Sequence, residues 1–133
     1  MIAVDSSVVV AACATWHQSH QAAQRALRQM PRLVGHCALE AFSVLTRLPG
    51  VQRVPPPLVV EFLRTTFPHE PLVLPASALM DIVGELDERG ISGGAVYDGL
   101  VALSARAHGA ELVSLDRRAA DTYRRCDVTY RLL

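Results

Sequence analysis

The sequence predicts a doubly wound α/β fold, on three observations. Short apolar runs of strand character alternate with stretches of helix length from one end of the chain to the other. The first run, Met1-Ile2-Ala3-Val4-Asp5, is apolar until it stops on a carboxylate, and a continuous apolar run reads as a strand buried on both faces of a parallel sheet. No linker, repeat or long polar loop breaks the alternation, so right-handed crossovers can join successive strands within one domain, residues 1–133.

Each element has a local reason. Ile2 to Val4 is the first strand, and Ser6 or Ser7 can cap a short helix through about Thr15, because a hydroxyl satisfies the orphan N–H groups of a first turn. Gln18 to Met30 carries Ala and Leu at helical intervals and is stopped by Pro31. Leu33 to Cys37 is a second strand, and Ala38 to Leu48 a helix ended by Pro49-Gly50. Pro55-Pro56-Pro57 opens a helix over Leu58 to Phe67, since proline is tolerated in a first turn. Leu72 to Leu74 is a short third strand, and Ser77 caps a helix ending at Arg89-Gly90. Gly94 to His108 is the next helix, with Gly109 as its C-terminal stop. Glu111 to Leu115 is a fourth strand, Arg117 to Arg125 a helix, and Val128 to Leu132 the last strand.

Composition narrows the function. At 133 residues with half of them hydrophobic, the chain can bury about two-thirds of its unfolded surface. Formal net charge is zero, so the total gives no sign of a nucleic-acid partner. All thirteen cations are arginine, which reflects either a GC-rich genome or the match of a guanidinium fork to phosphate. Without lysine there is no P-loop nucleotide site. Haloacid-dehalogenase-like phosphatases and receiver domains also begin with a strand ending in Asp, but both require a later lysine. Cys13, Cys37 and Cys126 are odd in number and widely spaced, as buried free thiols of a reducing compartment are. With no leader pattern and no apolar run of membrane-span length, the expectation is a cytoplasmic protein.

Four acids stand at structural punctuation. Asp5 ends the first strand, at the carboxyl edge where open α/β sheets bind ligands, and Ser6 and Ser7 leave it free of capping duty. Glu40 lies in the first turn of its helix, where dipole compensation is the competing explanation. Asp98 sits inside a helix nearly free of charge, with no cation at i±3 or i±4. Asp116 follows the fourth strand, with Ser114 on the same strand face, and helix capping is its competing role. Two carboxylates ~4 Å apart repel by ~4 kcal/mol at an effective dielectric of ~20, so a converged set calls for compensation. For an all-oxygen cluster that compensation is a hard divalent cation, Mg²⁺ or Mn²⁺, a site suited to phosphodiester hydrolysis.

These segments resemble the PIN domain, and more closely the VapC-type ribonuclease toxins of type II toxin–antitoxin systems. The resemblance covers essentially the whole chain and rests on V-D-S-S-V at Val4 to Val8, L-E-A-F-S-V-L-T-R-L from Leu39, Y-D-G-L-V-A at Tyr97 to Ala102, and L-V-S-L-D-R-R at Leu112 to Arg118. It implies a PIN-like three-layer α/β/α fold with a central, mostly parallel sheet of about five strands, the first strand central and the fourth beside it. It further implies a metal-dependent endoribonuclease whose catalytic, metal-binding quartet is Asp5, Glu40, Asp98 and Asp116, using Mg²⁺ or Mn²⁺. Ser6 and Ser114 resemble the polar residues supporting that quartet. The implied partners are an RNA substrate, a cognate antitoxin and a second copy of the chain in a homodimer, with no membrane. Gly99 departs from the family pattern, where alanine is common, and softens the helix locally. The alternatives are a catalytically silent PIN-fold RNA-binding or protein-interaction module, or a housekeeping RNA-processing nuclease.

The remaining polar residues carry less. Arg117 and Arg118 follow an acid of the quartet and can hold an RNA phosphate, or else pair with Asp121 and Asp127. His36 is near enough to Glu40 to approach the site, and Asp121 can extend the cluster or stay at the surface. His17 and His20 read as a solvated helix start, and Trp16 as core or a lid over it. The acidic face of Asp81, Glu85, Asp87 and Glu88 reads as a solvated surface. Leu58 to Leu63 is apolar nearly all round its helix, as a buried helix or a partner surface is.

Overall fold

The computed structural model describes all residues from Met1 to Leu133. Strand β1 (Ile2–Val4) leads through α1 (Ser6–Cys13) and α2 (His20–Leu27) to β2 (Arg32–Leu33). Helices α3 (Gly35–Thr46), α4 (Pro56–Thr66), α5 (Leu79–Glu88) and α6 (Ala95–Ala107) follow, then β3 (Glu111–Ser114), α7 (Ala120–Arg125) and β4 (Tyr130–Leu132). The strands form one parallel sheet in the order β2-β1-β3-β4, with Val4 opposite both Leu33 and Val113 and Ser114 opposite Leu132. The chain runs outward from β1 to β2 on one side and from β3 to β4 on the other. The topological switch point therefore lies between β1 and β3, where an α/β sheet opens its crevice.

Both sheet faces are covered, which makes three layers. Ala3 and Val4 are consecutive and both fully buried, as are Leu112, Val113 and Ser114, and successive strand residues point to opposite faces. The core joins them to Val8 and Val9 of α1, Val101 and Leu103 of α6, and Tyr123 of α7. Helix α1 packs on α2 and α3, and α6 on α5 and α7. Gly99 has a packing role: a Cβ there would stand 2.4 Å from Leu86 Cδ2, so its absence lets α5 and α6 close together.

Several elements differ from the sequence expectation. The strand expected at Leu72–Leu74 is a single parallel bridge from Leu72 to Val34 beside β2, leaving four strands and one edge residue. Pro71 and Pro75 flank that segment, and proline cannot donate to a ladder. The second strand is correspondingly short, and α3 begins at Gly35 instead of Ala38. The Gly35 N–H donates to the Leu72 carbonyl at 2.9 Å, which stands in for a side-chain cap. Ser77 caps nothing, because a 3₁₀ turn over Ala76–Ala78 precedes α5. The helix expected from Gln18 to Met30 is limited to His20–Leu27, and Met30 has a left-handed backbone, φ 50°. No helix is long and apolar enough to cross a membrane.

Candidate functional site

Asp5 emerges from β1 into the switch point and is 4 % exposed. It is the N-cap of α1, in extended backbone, and its Oδ1 accepts from the N–H groups of Ser7 (3.1 Å) and Val8 (3.3 Å). Ser6 and Ser7 are thus the first helical residues and not the caps, because an aspartate already in extended conformation meets the orphan amides first. The Ser7 hydroxyl also donates to Asp5 Oδ1 and accepts from the Leu115 N–H at 2.8 Å, tying the β1 end to the β3 end. On the other side the buried Tyr123 hydroxyl donates to Asp5 Oδ2 at 2.8 Å. Burial raises the Asp5 pKa, and the hydroxyls of Ser114, Ser7 and Tyr123 with the Val8 amide oppose that rise.

The other acids share an open groove. Glu40, Asp98 and Asp116 line this groove with Ser6 and Arg47. Glu40 falls in the second turn of α3, since that helix starts three residues earlier than expected, whereas Asp98 lies in the first turn of α6. The dipole explanation raised for Glu40 therefore applies to Asp98 instead. Asp116 caps the 3₁₀ turn over Arg117–Ala119, accepting from the Arg118 N–H at 2.9 Å, while its own N–H donates to Ser114 Oγ at 2.9 Å. Ser114 thus reaches the Asp116 backbone. Ser6 lines the groove without a side-chain hydrogen bond, and Ser7 is the serine in the network with Asp5.

Electrostatics ties the four together. The pKa of Asp98 is raised to about 6, by burial first and then by the charges of Asp116, Glu40 and Asp5, with Arg118 opposing. No hydrogen bond relieves the Asp98 carboxylate. Beneath them the buried Cys37 thiol is pushed well up by burial and by the charges of Asp5, Glu40 and Asp98. The donor set is all oxygen and undercompensated, which fits Mg²⁺ or Mn²⁺. The acids ring the groove without three of them closing into one coordination shell. Mg²⁺ tolerates that, because it keeps several of its waters and takes only one or two carboxylates.

Residues around the rim divide clearly. Arg118 is 95 % exposed with its guanidinium Nε 3.6 Å from Asp116 Oδ1, and Arg117 is exposed as well. The pairing considered with Asp121 belongs to Arg124 and Arg125, and that with Asp127 to Arg89, so Asp121 stays at the surface. Arg47, at the C-cap of α3, lies on the groove through the stripe His36, Glu40, Ser43, Arg47, and its guanidinium donates to Ser43 Oγ at 3.0 Å. That i, i+4, i+7, i+11 spacing was the signal for it in the sequence. His36 does reach Glu40, Nε2 to Oε1 at 3.1 Å. His17 Nδ1 accepts from the Ser19 N–H and His20 Nδ1 meets the Ala11 carbonyl, both local roles. Trp16 is neither core nor buried: it is 49 % exposed in the α1–α2 turn.

Over its full length the chain is 44 % identical to Ribonuclease VapC40 of two Mycobacterium tuberculosis strains, covering 99 % of that protein. The chain belongs to the VapC ribonuclease family. A second VapC relative, Ribonuclease VapC27 of Mycobacterium tuberculosis, is 41 % identical over 96 % of the chain and 93 % of its own length. The crystal structure of PAE2754 from Pyrobaculum aerophilum shares the fold, with TM-score 0.62 and 21 % identity over 97 % of this chain and 89 % of that one. No protein-family model matches the chain. The VapC relationship and the shared fold agree with the resemblance carried by the four sequence motifs.

Proposed function

We propose that this VapC chain is a divalent-metal-dependent endoribonuclease, the toxin of a toxin–antitoxin pair, with Asp5, Glu40, Asp98 and Asp116 as its catalytic and metal-holding acids. The observation that carries the reading is the undercompensated carboxylate set at the switch point, with Asp98 raised to about 6 by its acidic neighbours and no hydrogen bond to relieve it. One or two of Glu40, Asp98 and Asp116 would hold Mg²⁺ or Mn²⁺ directly and the others through its waters, with the buried Asp5 adding negative charge behind them. Such a cation, when bound, would supply positive charge to the phosphoryl group and lower the pKa of a water molecule. The chain's own part is orientation: Ser7, Tyr123 and the α1 amides fix Asp5, and Ser114 fixes the Asp116 backbone. Arg117, Arg118 and Arg47 would hold the RNA backbone electrostatically.

The proposed setting is cytoplasmic, with a small antitoxin and a second copy of the chain as protein partners. Support for such partners lies in apolar side chains left exposed on two helices, Leu58 and Val60 of α4 and Leu79, Met80 and Val83 of α5. The reading is tested by incubating the purified chain with total RNA and Mn²⁺. Cleavage by the wild type and its loss in Asp98→Asn, with the variant still folded, is expected. Equal cleavage by both proteins would remove Asp98 from the machinery and, with it, the assignment of the quartet. An antitoxin-like reading frame directly upstream, whose product suppresses cleavage, is the expected mark of the toxin role.

A further inference from the structure

We infer that Tyr97 is a base-stacking platform that receives one unpaired nucleobase of the RNA beside the acids. This rests on the endoribonuclease reading. Tyr97 immediately precedes Asp98 in the first turn of α6 and lines the same groove as Glu40, Asp116 and Arg47. It is 55 % exposed, so a ligand in the groove can reach the ring. The ring is nonetheless held in place. His36 stacks on it with centroids 5.4 Å apart and planes within 5°. His36 is anchored in turn by Glu40 at 3.1 Å.

Parallel planes with centroids 5.4 Å apart put the imidazole in offset contact with the Tyr97 ring, while more than half of the residue stays exposed. A rigid aromatic with an open side is what a base stacks on, and the ordering cost has already been met by the fold. Single-stranded RNA is recognised by stacking splayed bases on such side chains, whereas duplex bases are already stacked on one another. Arg47, on the same groove, is placed to hold the backbone phosphate of the stacked nucleotide. Leu39, 71 % exposed on the groove, adds an apolar edge against the base.

The experiment measures binding of a short single-stranded RNA carrying 2-aminopurine, whose fluorescence is quenched by stacking. Turnover is removed by working in the Asp98→Asn background. Tyr97→Ala is expected to weaken binding roughly five- to 150-fold, the range of base–aromatic stacking, and to abolish the quench. Tyr97→Phe and Tyr97→Trp should retain both, and a duplex of the same sequence should bind all four proteins equally. The Mn²⁺-induced rise in melting temperature, measured with Asp98 restored, should be unchanged by Tyr97→Ala. Equal single-strand affinity of the Tyr97→Ala and parent proteins would overturn the platform, as would a loss in Tyr97→Phe as large as in Tyr97→Ala. So would a loss of the Mn²⁺ response in Tyr97→Ala, which would make Tyr97 a support for the acids. A wild type that binds RNA but never cuts it sinks the nuclease reading and leaves the affinity ratios to decide the platform. A wild type that binds no RNA overturns both.

Discussion

The hydroxyl of Tyr123 donates to Asp5 Oδ2 at 2.8 Å across 118 residues of sequence, joining the last helix to the end of the first strand. Both groups are buried, so neither has water to fall back on. Burial, and then the neighbouring negative charge of Asp5, raise the tyrosine above its usual range, which favours the protonated, donating form. Removing that donor leaves a buried carboxylate oxygen short of a partner. Tyr123→Phe is expected to lower unfolding free energy by about 1–3 kcal/mol, the usual effect of orphaning such a group. Urea unfolding of the two proteins without metal measures it, and equal midpoints with equal slopes would show that Asp5 is satisfied without the tyrosine.

Asp98 gives the pH prediction. Its pKa is about 6 in the folded chain against 3.8 as the reference, so between those values the native state binds more protons than the unfolded one. The contribution of protonated Asp98 is fully present below about 3.8 and is lost as pH rises through about 6. Asp98→Asn stays neutral throughout. Without metal it should therefore melt higher than the wild type at pH 7.5, with the gap narrowing below pH 6 and closing near pH 4. A gap independent of pH would mean that Asp98 is not under pressure from its neighbours.

Metal should reverse that order. Mn²⁺ binds the assembled acids and not the unfolded chain, so it should raise the wild-type melting temperature with increasing concentration. Replacing Glu40, Asp98 and Asp116 by their carboxamides should remove the response. The same rise in both proteins would place the cation outside this groove.

Gly99 offers a test of packing independent of activity. A Cβ at 2.4 Å from Leu86 Cδ2 forces that buried side chain to move, and the overpacking should exceed the ~1 kcal/mol that alanine gains over glycine in a helix, so Gly99→Ala should destabilise by up to about 2 kcal/mol. Leu86→Ala should then cost less in the Gly99→Ala background than alone, since the added methyl enters the vacated space. Strict additivity in a urea double-mutant cycle would show that the α5–α6 contact is not the constraint.

The arginines predict a salt effect. Each phosphate neutralised on a single strand adds about 0.7 to the slope of log affinity against log salt. Replacing Arg47, Arg117 and Arg118 together by alanine should lower the slope by about 2 and leave melting nearly unchanged, because Arg117 and Arg118 are exposed and Arg47 bonds only Ser43. An unchanged slope would move the RNA path away from this rim.

Much was legible in the sequence because it depends on short-range pattern. Acids at element ends and inside apolar helices singled out Asp5, Glu40, Asp98 and Asp116 as candidates, and apolar runs of strand length and prolines determined the alternation and the parallel sheet. Their periodicity is set by the backbone and survives without knowledge of the partners. What only the tertiary structure decided is which groups satisfy those acids. Asp5 could be read as free of capping duty because Ser6 and Ser7 looked sufficient, yet the aspartate takes the cap and Ser7 becomes its donor. Tyr123 and the stack of His36 on Tyr97 are invisible along the chain, since each pairs residues more than sixty positions apart. Hydrogen-bond partners inside a core are chosen by where the helices land on the sheet, and that placement is a property of the packed whole, not of any segment.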